Sequence, residues 1–249
     1  MPDPSGKSLL TSKHAALWQS GQISSVGQGH PPDRPARPAK PALMPPTAMP
    51  RRSKAGLRGR VALLHALAHI ELNAIDLAWD IIARFTENDL PKAFYDDWVQ
   101  VALDEALHYD ALAELLAGLG ASYGDLPAHD GLWQAADKTR NDLMDRLALV
   151  PMTLEARGLD TTPATMKHLE RHGHAEVIPV LARILDDETA HVAAGTRWFG
   201  YLCGLKGLDP AQTYKSRLTP HFPNGPKPPF NYEARLKAGQ TPDFYEWAI

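Results

Sequence analysis

From about Lys54 to Gly204 the apolar residues recur with a helical period, in four long stretches, and no run shows the two-residue alternation of a half-buried strand. In the first stretch Leu64, Leu67, Ala68, Ile75 and Ala78 are spaced by threes and fours, which predicts a helix over about residues 55–85. The segment Glu87-Asn88-Asp89-Leu90-Pro91 ends it. Pro91 suits the first position of a second helix, which stops near Gly118 and Gly120. Residues 121–131 read as a looser crossing segment. A third helix is predicted over about 132–158, kinked at Pro151, where the Leu147 carbonyl loses its usual partner. A short helical piece follows over 162–171, started by Thr161 or Thr162 ahead of Pro163. The fourth long helix covers about 175–205. This is the pattern of an all-α protein, a four-helix bundle over residues 54–206.

The ends differ. Residues 31–50 hold eight of the 22 prolines, which rules out a helix or central strand there. Residues 1–53 are therefore expected to be an extended or disordered arm, packing loosely on the bundle. From Asp33 to Arg60 the chain is basic: Arg34, Arg37, Lys40, Arg51, Arg52, Lys54, Arg58 and Arg60 stand against Asp33 alone. Residues 207–249, rich in proline and aromatics, are expected to wrap the bundle as an irregular tail, with one short helix near 211–217.

The chemistry lies on the apolar faces. Two Glu-x-x-His pairs occur, Glu105–His108 and Glu188–His191. Residues three apart share one face of a helix, so each pair can offer a carboxylate and an imidazole to one ion. Trp98, Val101, Ala102, Tyr109 and Leu112 surround the first pair. Leu181, Ile184, Leu185, Val192 and Trp198 surround the second. Two more glutamates, Glu71 and Glu155, sit among apolar residues one hairpin earlier. Glu71 precedes Glu105 by 34 residues and Glu155 precedes Glu188 by 33, so the chain reads as two copies of one helical hairpin. Four carboxylates and two imidazoles in one core are tolerable only with cations to neutralise them. The expected site is Glu71, Glu105, His108, Glu155, Glu188 and His191 around two iron ions, with manganese as the other candidate. Oxygen and imidazole donors suit those metals better than zinc.

The motifs HALAHIELNAIDLAWD, DEALHYD, VPMTLEARGLD and DDETAHVAAGTRWF resemble an uncharacterised ferritin-like family of unknown function, over about residues 50–235. More distantly the chain is similar to ferritin-like tRNA hydroxylases and ubiquinone-pathway hydroxylases. The resemblance implies a ferritin-like four-helix bundle with a di-iron site. It also implies an O₂-activating enzyme that hydroxylates or oxidises an organic substrate, a small molecule or an RNA, with an external electron donor. The alternative is a manganese catalase-like or ferroxidase, iron-handling protein.

Neighbouring residues admit two readings each. Asp104 and Asp187 either orient a ligand histidine or make salt bridges along their helices. Tyr109 lies either near the metals or in the core. His65 and His69 fall off the Glu71 face and are expected to be structural or exposed. His168, His172 and His174 are given no metal role.

Composition adds little. The formal charge of −3 and 22% charged residues describe an ordinary soluble chain. The single cysteine, Cys203, excludes a disulfide framework or a Cys-based metal site within one chain and is expected to be buried. No signal-peptide core or uncharged membrane-length stretch is evident. The expectation is a cytoplasmic protein without a membrane partner, and an oligomer is possible.

Overall fold

The computed structural model describes residues 1–50 and 56–247. Arg51, Arg52, Lys54, the first helix's expected start at Ala55 and the expected boundary at residue 53 lie outside the described residues. The described chain is all-α, with no strand and a single isolated bridge between Leu43 and Ala128. It divides into two compact units, residues 1–137 and 138–249.

The first unit is built on a helical hairpin, α2 (Gly56–Arg84) and α3 (Lys92–Gly118), the expected first two long helices. Their buried residues include Leu64, Ala68, Leu72, Ile75 and Ala78 on α2 and Phe94, Trp98, Ala102, Tyr109 and Leu112 on α3. Pro91 is the N-cap of α3 rather than its first residue. By length and composition α2 could cross a membrane, but 61% of its apolar window is buried inside the protein, and that is the condition of a core helix. A short helix α4 (Gly131–Lys138) follows the crossing segment.

The arm departs from expectation at its start. Residues Pro4–Gln19 form a helix, α1, with Pro4 at its first turn and the Asp3 carboxylate accepting from the Gly6 amide. Its buried face is largely polar: Lys7, Ser8, Thr11, Ala15 and Trp18. Each polar member has a partner on the hairpin. Lys7 Nζ donates to both Asp76 oxygens at 2.6 and 2.7 Å, Ser8 Oγ to Asp110 at 2.6 Å, and Trp18 Nε1 to Asp96 at 2.7 Å, while Thr11 Oγ1 accepts from Trp79 Nε1 at 3.0 Å. A face held by hydrogen bonds carries no apolar period, so the sequence pattern missed it. The rest of the described arm, residues 20–50, has no helix beyond a single 3-10 turn at Pro46–Ala48, and it is pinned. Arg37 binds Asn73 and Asp76, Arg34 binds Asp130, and backbone bonds join Ala42 and Met44 to Ala128.

Burial raises Asp76 and lowers Lys7 from their usual values, partly offset by their mutual attraction. Breaking the pair is still costly, because Asp76 would remain buried. Lys7→Ala is expected to lose about 2 kcal/mol by urea denaturation, less than a fully isolated buried pair would, because Arg37 stays 3.4 Å from Asp76.

The second unit contains α5 (Leu143–Leu149), a π-helical turn over Val150–Glu155, α6 (Ala156–Arg171), α7 (Ile178–Leu205), α8 (Pro210–Leu218), α9 (Tyr232–Lys237) and α10 (Pro242–Tyr245). The expected third helix is broken at its start. Asp142 N-caps α5 by accepting from the Met144 and Asp145 amides at 2.8 and 3.1 Å. At Pro151, where a kink was expected inside one continuous helix, the chain forms the π-helical turn. Pro163, expected to start a new piece, instead lies inside α6. The carbonyl four residues back, which the proline ring deprives of a donor, accepts from Asn231 Nδ2 at 3.1 Å. The tail thus completes α6. Ala234 and Ala238 of the tail join Ala156, Leu159 and Val192 in one apolar cluster.

Candidate metal centre

In the first unit the ligand spacing works as the helices require. Glu71 projects from α2, and Glu105 and His108, one turn apart, project from α3. All three are buried: Glu71 2%, Glu105 0% and His108 2% exposed. His108 Nδ1 lies 3.3 Å from Glu71 Oε2 and 3.6 Å from Glu105 Oε2, and the three donor atoms fall within 4.8 Å of one another. Burial, together with the Glu105 charge, pushes the Glu71 carboxyl up to about 8. Burial alone would lower the His108 imidazole, but hydrogen bonds and charge from Glu105 and Glu71 outweigh it and raise it to about 11. Two carboxylates and one imidazole suit a divalent ion that accepts oxygen and nitrogen donors.

In the second unit α7 carries Glu188 and His191, both buried, with His191 Nδ1 3.7 Å from Glu188 Oε1. Glu188 Oε2 is buried and has no hydrogen-bond partner, a costly state for a carboxylate oxygen unless a cation meets it. Glu155 ends the π-helical turn that packs against α7 and is half-buried. Such turns recur at functional sites. Gly195, one helical turn after His191, lets the turn come close. A Cβ built there would stand 2.8 Å from Pro151 Cβ.

Asp187 pairs with Arg183 at 3.3 Å and Asp104 accepts from Gln100 at 2.9 Å, contacts along their own helices. Tyr109 is a core residue, set edge-on to Tyr123, and burial pushes its hydroxyl up to about 12. His65 and His69 are buried and structural. His65 Nε2 accepts from the Gly124 amide at 2.9 Å, and His69 contacts the Tyr123 hydroxyl at 2.8 Å and the His129 carbonyl at 3.0 Å. They tie the crossing segment to α2, a role that needed the loop's position to be seen. Cys203 is buried, as expected. A cavity of about 410 Å³ in the first unit, lined by Trp18, Trp79, Tyr95, Lys7 and Thr11, is lined by none of the six candidate ligands.

These features define a helical protein with a buried glutamate–histidine cluster that could hold a metal ion. The chain belongs to DUF455, a family of proteins of unknown function, whose profile matches residues 1–246. It is 40% identical over 217 residues to an uncharacterized protein of Haemophilus influenzae, a match covering 85% of this chain and 75% of that protein. No solved structure matches it.

Proposed function

We propose that this chain is a ferritin-like di-metal carboxylate protein, with iron the favoured metal, that activates O₂ to hydroxylate or oxidise an organic substrate in the cytoplasm. The observation that carries the reading is the Glu71–Glu105–His108 cluster, three titratable groups with donor atoms within 4.8 Å in an apolar core. The sequence repeats that set in the second unit as Glu155, Glu188 and His191. We assign three ligands to each half and two ions to the whole.

When bound, two irons would supply the electrons and the Lewis acidity that O₂ chemistry needs. The chain's own part is to hold the ligands and keep water away. Leu72, Ile75, Ala102 and Leu112 stand on the helices that bear Glu71, Glu105 and His108 and are at most 0% exposed. An external electron donor is part of this reading. Of the two substrate classes a small molecule is favoured over an RNA, because Arg34 and Arg37 of the basic arm already bind Asp130, Asn73 and Asp76. Metal analysis of the purified chain beside its optical spectrum in air tests the proposal. About two irons per chain, with a charge-transfer band that the metal-free protein lacks, is the expected result. Two manganese ions with peroxide disproportionation would replace it with the catalase-like reading, and no stoichiometric metal would end both.

A further inference from the structure

A π-helical turn inserts one residue into a helix, which turns every later side chain by about 100° and leaves carbonyls without their usual donors. Glu155 is the last residue of such a turn, so its direction depends on the turn being held open. The partners that hold it come from far along the chain. Thr153 Oγ1 donates to the Ala148 carbonyl at 2.7 Å and shares a hydrogen bond of 2.7 Å with the Tyr214 hydroxyl. Gln240 Nε2 donates to the Met152 carbonyl at 2.8 Å, and the Tyr214 hydroxyl approaches the same oxygen at 3.4 Å. Gln240 is itself fully buried and fixed, since its Oε1 accepts from Arg235 Nη1 at 2.6 Å. Arg235 in turn grips Asp160 of α6 with bonds of 2.9 and 2.7 Å. On the other side the turn rests on Gly195 of α7.

We infer that Gln240 is a positioning residue for the metal ligand Glu155. With Tyr214 it holds the Val150–Glu155 turn in the phase that presents Glu155 to the ion bound by Glu188 and His191. A glutamine amide suits this task because it donates to the Met152 carbonyl and accepts from Arg235 at once. The C-terminal segment is then part of the metal centre's support, and the second ion depends on it while the ion of Glu71, Glu105 and His108 does not. This inference rests on the two-ion reading proposed above.

The test is manganese(II) titration of the full-length, metal-stripped chain, followed by calorimetry and by electron paramagnetic resonance. The unaltered chain is expected to bind two ions, the resonance spectrum counting the manganese left free. Gln240→Met, which keeps the volume and removes the amide, is expected to bind the first ion as before. Its second ion should bind about 10- to 100-fold more weakly. A control of similar stability cost in the same unit, Leu169→Ala, is expected to keep both ions. Gln240→Met binding both ions with unchanged affinity would overturn the inference and leave the metal reading standing. An unaltered chain that binds no manganese would overturn the metal reading itself. If Gln240→Met does not fold, Tyr214→Phe and Gly195→Ala carry the test, with the same selective weakening expected and retention of both ions overturning the inference.

Discussion

On the metal reading proposed above, stripping the metal is expected to lower the melting temperature of the full chain by roughly 5–10 °C, and adding iron(II) under nitrogen or manganese(II) is expected to restore it. The size follows from linkage: a ligand held at 100 times its dissociation constant stabilises the folded state by about 2.7 kcal/mol, and each kcal/mol moves a chain of this length by about 2–4 °C. The direction follows from the site. Glu71, Glu105 and His108 are buried with their donor atoms within 4.8 Å of one another, so the folded form gathers ligands that the unfolded chain disperses. Glu71→Gln separates this from a general stabilising effect of divalent ions. The amide keeps the shape of the side chain, and burial together with the Glu105 charge already favours the neutral form of the metal-free Glu71, so the metal-free variant should melt within about 2 °C of the metal-free parent. It should respond to iron or manganese with less than half the parent's shift. Differential scanning calorimetry with and without chelator reads both quantities. Equal melting temperatures for the stripped and loaded parent protein would remove the metal from the account of this fold.

The elements that the sequence made legible are those whose buried face is apolar. Trp98, Val101, Ala102, Tyr109 and Leu112 are all buried on α3, and Leu181, Ile184, Val192 and Trp198 on α7. The same faces exposed the candidate ligands, because Glu71, Glu105 and Glu188 are carboxylates set at the helical spacing of the apolar residues around them. What stayed hidden was decided by polar contacts at long range. Helix α1 buries Lys7, Ser8 and Thr11, and nothing in its local pattern announces the aspartates 69 and 102 residues away that receive the first two. Pro151 announced a kink, but the π-helical turn found there is held by Tyr214 and Gln240. Pro163 announced a helix start, and the Asn231 amide cancelled it by satisfying the Leu159 carbonyl. Local preference is a weak prior where a distant side chain can supply the missing hydrogen bond.

Arg235→Met is expected to be the most damaging single substitution in the second unit. Arg235 is 2% exposed and the Asp160 side chain 0%, and the two share two hydrogen bonds. Arg235 also lies over the Tyr245 ring at 4.6 Å and the Phe230 ring at 5.2 Å, so it ties α6, α9 and α10 together. Removing one partner of a buried pair costs about 3–5 kcal/mol, because the other charge is left in a low dielectric. Here the lower figure applies, since Asp160 keeps the Asn231 amide at 2.9 Å and Arg157 at 3.5 Å. The expected loss is about 3 kcal/mol, or about 6–12 °C in melting temperature. The double change Asp160→Asn with Arg235→Met discriminates the cause. Asparagine retains an oxygen for the Asn231 amide and carries no charge, so if the stranded carboxylate is what hurts, the pair of changes should recover more than half of the loss. Chemical denaturation of the four proteins in a double-mutant cycle measures this coupling. A double variant no better than Arg235→Met would mean that the aromatic packing of Phe230 and Tyr245 on the guanidinium, rather than the ion pair, fastens the tail. Either way the Met152 carbonyl loses the support that Gln240 draws from Arg235, so on the two-ion reading proposed above the single variant is expected to lose the ion of Glu155, Glu188 and His191 before it unfolds.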